Sequence, residues 1–99
     1  MTWSRRKVRV AIRAVFPNPA KSSATICYSV AETGEYDLEI YDITGRRITT
    51  LNSGSIASGN YTAVWDISSS SGSVIPNGVF FVRLHGCGET AVQNFVVLK

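Results

Sequence analysis

Apolar and polar residues alternate in short runs along this chain, and each run stops at turn-forming residues. Alternation with a period of two puts successive side chains on opposite faces of a β-strand. Residues 7–16 follow it, with Val8, Val10, Ile12, Ala14 and Phe16 on one face and Lys7, Arg9 and Arg13 mostly on the other. Phe16-Pro17-Asn18-Pro19 ends that run, because proline has no N–H to give to a sheet ladder. Residues 24–30 alternate again and are expected to turn Ile26, Tyr28 and Val30 inward. Glu32-Thr33-Gly34-Glu35 reads as a hairpin connection. Residues 36–41 alternate most strictly, with Tyr36, Leu38 and Ile40 inward against Asp37 and Glu39 on a solvated outer face.

Asp42-Ile43-Thr44-Gly45 is expected to turn the chain, with Gly45 supplying positive φ. A strand over residues 46–51, a Ser- and Gly-rich loop over 52–59 and a strand over 60–65 ended by Asp66 follow. Residues 68–73 form a serine-rich polar loop, and Pro76-Asn77-Gly78 a tight turn. Residues 79–84 are the most apolar stretch and are expected at the centre of a sheet. Gly86-Cys87-Gly88 then turns the chain into a last strand over 90–98. No run keeps a helical period for three turns. About seven short strands separated by turn signals predict an all-β antiparallel sandwich.

Composition narrows the function. A chain of 99 residues is enough for one domain, with little volume left over for a deep pocket. At 44% apolar and 17% charged residues it is globular in character, and no stretch is long and apolar enough for a membrane helix. The net charge of +3 is unevenly spread. Arg5, Arg6, Lys7, Arg9 and Arg13 give the first thirteen residues +5, while the remainder sums to −2. Residues 1–15 are therefore read as a basic arm, linker or first strand, and residues 16–99 as the domain. The body carries no basic stripe interleaved with aromatics, so no nucleic-acid partner is expected. Arg5-Arg6 is not followed by an apolar segment, so no export signal is expected at this end.

From Phe16 onward the chain resembles the C-terminal sorting domains of type IX secretion substrates, and equally the Ig-like domain of flagellar hook-capping proteins. Phe16-Pro17-Asn18-Pro19 resembles the opening aromatic-Pro-Asn-Pro motif, and residues 25–30 fill the first strand position. Residues 38–46, Leu-Glu-Ile-Tyr-Asp-Ile-Thr-Gly-Arg, resemble the family's Tyr-Asp-aliphatic-x-Gly-Arg segment. Gly59 through Val64-Trp65-Asp66 resembles its Gly…Val-Trp-Asp strand. Residues 76–84 resemble its Gly-aliphatic-Tyr strand, and residues 96–99 its apolar-Lys ending. The resemblance implies an Ig-like, fibronectin-III-like fold and a non-catalytic module. In the family the module directs a cargo protein, through secretion and attachment machinery, by way of the periplasm to the cell surface. It also implies a cargo domain upstream. Only fifteen residues precede the motif, so the chain is expected to be a fragment or a stand-alone small protein. The serine loop departs from the family's acidic one and removes the carboxylates that calcium would need.

The candidate contacts for a protein partner are Phe95, Val97 and Lys99 in the last hairpin, since a terminal strand can present an unpaired edge. Pro17, Asn18, Pro19, Gly45, Trp65, Asp66 and Gly78 are the candidate turn and structural residues, with Trp65 a core anchor. His85 is the lone histidine and is expected in an exposed turn. With Cys87 it falls short of the four ligands of a closed zinc site, so no metal or cofactor is expected. Asp37 and Glu39 share a strand face but are read as solvated rather than as a catalytic pair. Cys27 and Cys87 are either bridged or one buried and one exposed thiol. The alternative function is an accessory Ig-like structural or ligand-binding module, as in flagellar hook assembly or carbohydrate-associated proteins. Tyr36, Tyr41, Tyr61 and Trp65 would be its aromatic platform.

Overall fold

The computed structural model describes residues 9–68 and 75–99. Among these residues seven strands form: β1 (Val10–Phe16), β2 (Ser23–Val30), β3 (Gly34–Asp42), β4 (Arg47–Ile56), β5 (Gly59–Asp66), β6 (Gly78–Gly86) and β7 (Glu89–Val97). One sheet has the order β1-β2-β5 and the other β4-β3-β6-β7. All neighbouring strands are antiparallel. The architecture is the antiparallel sandwich that the alternation predicts, of the Ig-like kind that the resemblance implies. Arg5, Arg6, Lys7 and most of the serine loop, residues 69–73, lie outside the described residues.

The core lies where the inward rows of the two sheets meet. Ala24, Ile26, Tyr28 and Val30 of β2 face Tyr36, Leu38 and Ile40 of β3 and Phe80, Val82 and Leu84 of β6, and all are buried. Trp65 enters from the three-stranded sheet between Phe80 and Phe95, with ring centroids at 5.5 and 5.9 Å. Such aromatic pairs add about 0.5–1.5 kcal/mol to the burial of their area. At the opposite end the Tyr36 ring covers Gly86, where a Cβ would overlap both that ring and the Glu35 carbonyl.

Five local expectations are corrected. Ala14 and Phe16 do not face inward: a bulge between Ile12 and Ala14 reverses the phase, so Val15 packs on the core while Phe16 is 49% exposed. The segment Glu32-Thr33-Gly34-Glu35 is no hairpin. Both edges of β2 are already taken by β1 and β5, so the chain crosses to the other sheet before β3 begins. Residues 52–56 are strand rather than loop, because the nine-residue β3 offers ladder partners as far as Gly34, which pairs with Ile56. Glu39 does not sit on a solvated face; it is 8% exposed. His85 lies on β6 rather than in a turn.

Candidate functional site

Three segments distant in sequence meet where β7 runs out. The polypeptide stretch after β1 passes along the open edge of β7, where Ala20 pairs with Val97 in parallel. Asn18 Oδ1 accepts the Val96 N–H at 3.0 Å. Ala20 N–H donates to the Val96 carbonyl at 2.8 Å, and Leu98 N–H donates to the Ala20 carbonyl at 2.9 Å. From the other side, Asn77 Oδ1 accepts the Lys99 N–H at 2.9 Å. The Lys99 ammonium donates to the Ile75 carbonyl. An Asn-Pro context suits this role: proline cannot extend the strand, and asparagine supplies a side-chain acceptor where a backbone carbonyl would stand in a regular ladder.

The three expected contact residues separate here. Phe95 is 1% exposed and Val97 0%, so both side chains belong to the core and a partner docking on the folded domain does not meet them. The reason is parity: in β7 they share the inward face that closes on Trp65. Lys99 is exposed. The edge of β7 is also less open than a terminal strand suggests, since residues 18–20 cover its last part.

The structural residues fall at turns and core positions. Gly45 has φ 88° and closes the β3–β4 turn, where its N–H donates to the Asp42 carbonyl at 3.0 Å. Asp42 Oδ1 accepts from the Thr44 hydroxyl at 2.6 Å, the Thr44 N–H at 2.9 Å and the Arg46 N–H at 3.0 Å. The Thr44 hydroxyl bond, followed by these backbone bonds and the nearby Arg46, holds the Asp42 carboxyl below the usual aspartate range. Gly78 begins β6 with φ 150°. Trp65 is buried; Asp66 is exposed and accepts from the Ser68 hydroxyl at 2.9 Å. Pro17 and Pro19 flank Asn18, and both of their peptide bonds are cis.

A second polar cluster, unforeseen from sequence, lies on the outer face of the four-stranded sheet. Glu39 is bracketed by Arg47 at 3.2 Å and Arg83 at 3.7 Å, and Tyr41 donates its hydroxyl to Glu39 Oε1 at 2.9 Å. Arg83 also donates to the Tyr41 hydroxyl at 3.2 Å. The cross-strand pairing of Glu39 with Arg83 was legible only once the register was known. Every acceptor there is engaged by a neighbour, so the cluster is a structural network rather than a free acid.

Among the described residues no other constellation assembles. Asp37 accepts from Ser53 Oγ at 2.7 Å, and His85 Nδ1 shares a hydrogen bond with Thr90 Oγ1 at 2.7 Å. Among the described residues no three His, Cys, Asp or Glu side chains could hold one metal ion. Cys27 and Cys87 are both free and both half-buried. Cys27 lies in β2, whereas Cys87 sits in the β6–β7 turn against Tyr36. Tyr36 donates its hydroxyl to the Glu32 carbonyl at 2.6 Å, and the Cys87 side chain beside it, aided by burial, pushes the phenol up to about 12. The aromatic platform does not form: Tyr36 and Trp65 are buried, Tyr61 stacks on Tyr28, and Tyr41 lies on the opposite sheet. Among the described residues no helix is long and apolar enough to cross a membrane.

Comparison with known proteins gives two findings. A model of the secretion system C-terminal sorting domain matches residues 14–98. Among solved structures, dimeric latent PorU from Porphyromonas gingivalis is similar, with a TM-score of 0.62 and 25% identity. That match covers 90% of this chain and 9% of the PorU chain, so the likeness is to a small part of a much longer protein. No curated protein matches.

Proposed function

Because the chain belongs to the family of secretion system C-terminal sorting domains, the sorting signals of type IX secretion, we propose that it acts by protein recognition alone, with no reaction of its own. The observation that supports this most is the family match along residues 14–98, which runs from the last residues of β1 to past the end of β7. The interior agrees with it, since inward positions are filled by apolar side chains and the buried acid Glu39 is fully engaged.

In this reading the domain carries a cargo joined upstream, through the periplasm, to the cell surface, where secretion and attachment machinery receives it. Residues 1–15 then join cargo to domain, with β1 already part of the sandwich. The recognition surface lies at the end of β7, with Lys99 in contact and Phe95 and Val97 acting through the core. A reporter with its own inner-membrane export signal, fused ahead of residues 9–99 in a type IX–competent host, reaches the surface on this proposal. Retention of the fusion in the periplasm contradicts it.

A further inference from the structure

Among the described residues the most exposed large apolar side chain is Ile43, at 71%. It stands on the β3–β4 turn, whose backbone is pinned by the bonds to Asp42. Val92 of β7 is also 56% exposed. With Tyr41 and Phe81, cross-strand partners on β3 and β6, these two residues line a shallow apolar recess of about 240 Å³ on the outer face of the four-stranded sheet. Single exposed aliphatic residues are ordinary on a protein surface, but several around one recess mark a contact site. The volume suits one aliphatic side chain from a partner.

Charge around the recess is one-sided. The side chains of Arg46 and Arg47 are 77% and 60% exposed, while those of the acids they pair with, Asp42 and Glu39, are 19% and 11% exposed. Arg83 lies on the recess wall, 5.9 Å from the centroid of the Tyr41 ring. Solvent therefore meets guanidinium groups, with the carboxylates beneath them already spent on internal bonds. We propose that this recess is a docking site for an acidic protein segment. One aliphatic side chain of that segment enters between Ile43 and Val92. Flanking carboxylates meet the N–H donors of Arg46, Arg47 and Arg83 not spent on Asp42, Glu39 and Tyr41. A second copy of this chain does not fit, because two-fold pairing on this face sets the same three arginines against each other. The pinned turn spares the partner the cost of ordering Ile43. This site stands independently of the sorting reading.

The test is an NMR titration of the whole chain with three capped pentapeptides: Glu-Asp-Leu-Asp-Glu, Glu-Asp-Ser-Asp-Glu and Lys-Lys-Leu-Lys-Lys. The first is expected to give saturable shifts at the amides of Tyr41, Ile43, Phe81 and Val92, and the other two to give none. Ile43→Ser, at an exposed position that leaves the fold intact, weakens the response to the first peptide about tenfold. Arg46→Ala weakens it about fivefold and flattens its dependence on salt. Vesicles of phosphatidylglycerol form the last arm. Broadening of the same amides by vesicles, with no response to the acidic leucine peptide, overturns the proposal in favour of a membrane surface. An equal response to the lysine peptide, shifts elsewhere on the sandwich, no saturable shift, or an unchanged response in Ile43→Ser each overturns it outright. The sorting reading is untouched by any of these results, since it is tested by delivery of the reporter fusion.

Discussion

The indole of Trp65, on the three-stranded sheet, meets the ring of Phe95, on the four-stranded sheet, nearly edge-on: the centroids are 5.9 Å apart and the planes 82°. This contact ties the two sheets together behind the end of β7. Trp65→Ala and Phe95→Ala are each expected to cost about 3–5 kcal/mol. A coupling of about 0.5–1.5 kcal/mol should appear in the double-mutant cycle, read from chemical denaturation. An unchanged midpoint in either single variant would show that the ring faces solvent.

Glu39 and Asp37 sit two residues apart on β3 and differ in what surrounds them. Glu39 is enclosed by Arg47, Arg83 and Tyr41, whereas Asp37 has one hydroxyl partner at a more open position. Glu39→Ala is expected to lose about 1–2 kcal/mol, a value discounted because Arg47 is itself largely exposed. Asp37→Ala should stay within about 0.5 kcal/mol. Equal losses in thermal or denaturant unfolding would contradict the difference in enclosure.

The β3–β4 turn gives an acid-side prediction. Asp42 has its carboxyl pKa lowered, first by the Thr44 hydroxyl. A group whose folded pKa lies below its unfolded one stabilises the fold at pH above the unfolded value, and that stabilisation disappears as pH falls through the folded value. An NMR titration should therefore find Asp42 titrating below ordinary aspartate, and Thr44→Val should move it upward. No movement would mean that the hydroxyl bond does not set the shift.

At the other end of the pH scale Tyr36 is raised from the ordinary 10.0 to about 12 by the neighbouring Cys87 side chain and by burial. The folded state then keeps a proton that the unfolded state gives up, so stability is complete below about pH 10 and declines as pH rises toward 12. Ultraviolet titration should show one tyrosine ionising late, and Cys87→Ala should bring it earlier. A late tyrosine that persists in Cys87→Ala would assign the shift to burial and the Glu32 carbonyl rather than to Cys87.

The strands were legible wherever one face is buried. In β2 and β3 the inward rows named from alternation alone are the rows that pack, because period-two patterning is itself the consequence of a half-buried sheet. What stayed hidden depends on pairing. The Arg13 bulge that exposes Phe16, the ladder that draws residues 52–56 into β4, and the jump between sheets after β2 are each set by which strand lies alongside. The candidate site was legible only in part. Lys99 was named, but Phe95 and Val97 could not be told from surface residues until the parity of β7 was fixed. Asn77 showed only as a turn residue, and the bond from Asn18 to Val96 spans a sequence separation of 78 that no local pattern records.

The most direct measurement is the fraction of reporter at the cell surface, with residues 9–99 fused behind it, in two hosts that differ only in a working type IX translocon. The account predicts surface reporter in the competent host and periplasmic reporter in the other. Equal distribution in both hosts would contradict the central claim that this sandwich is a sorting signal.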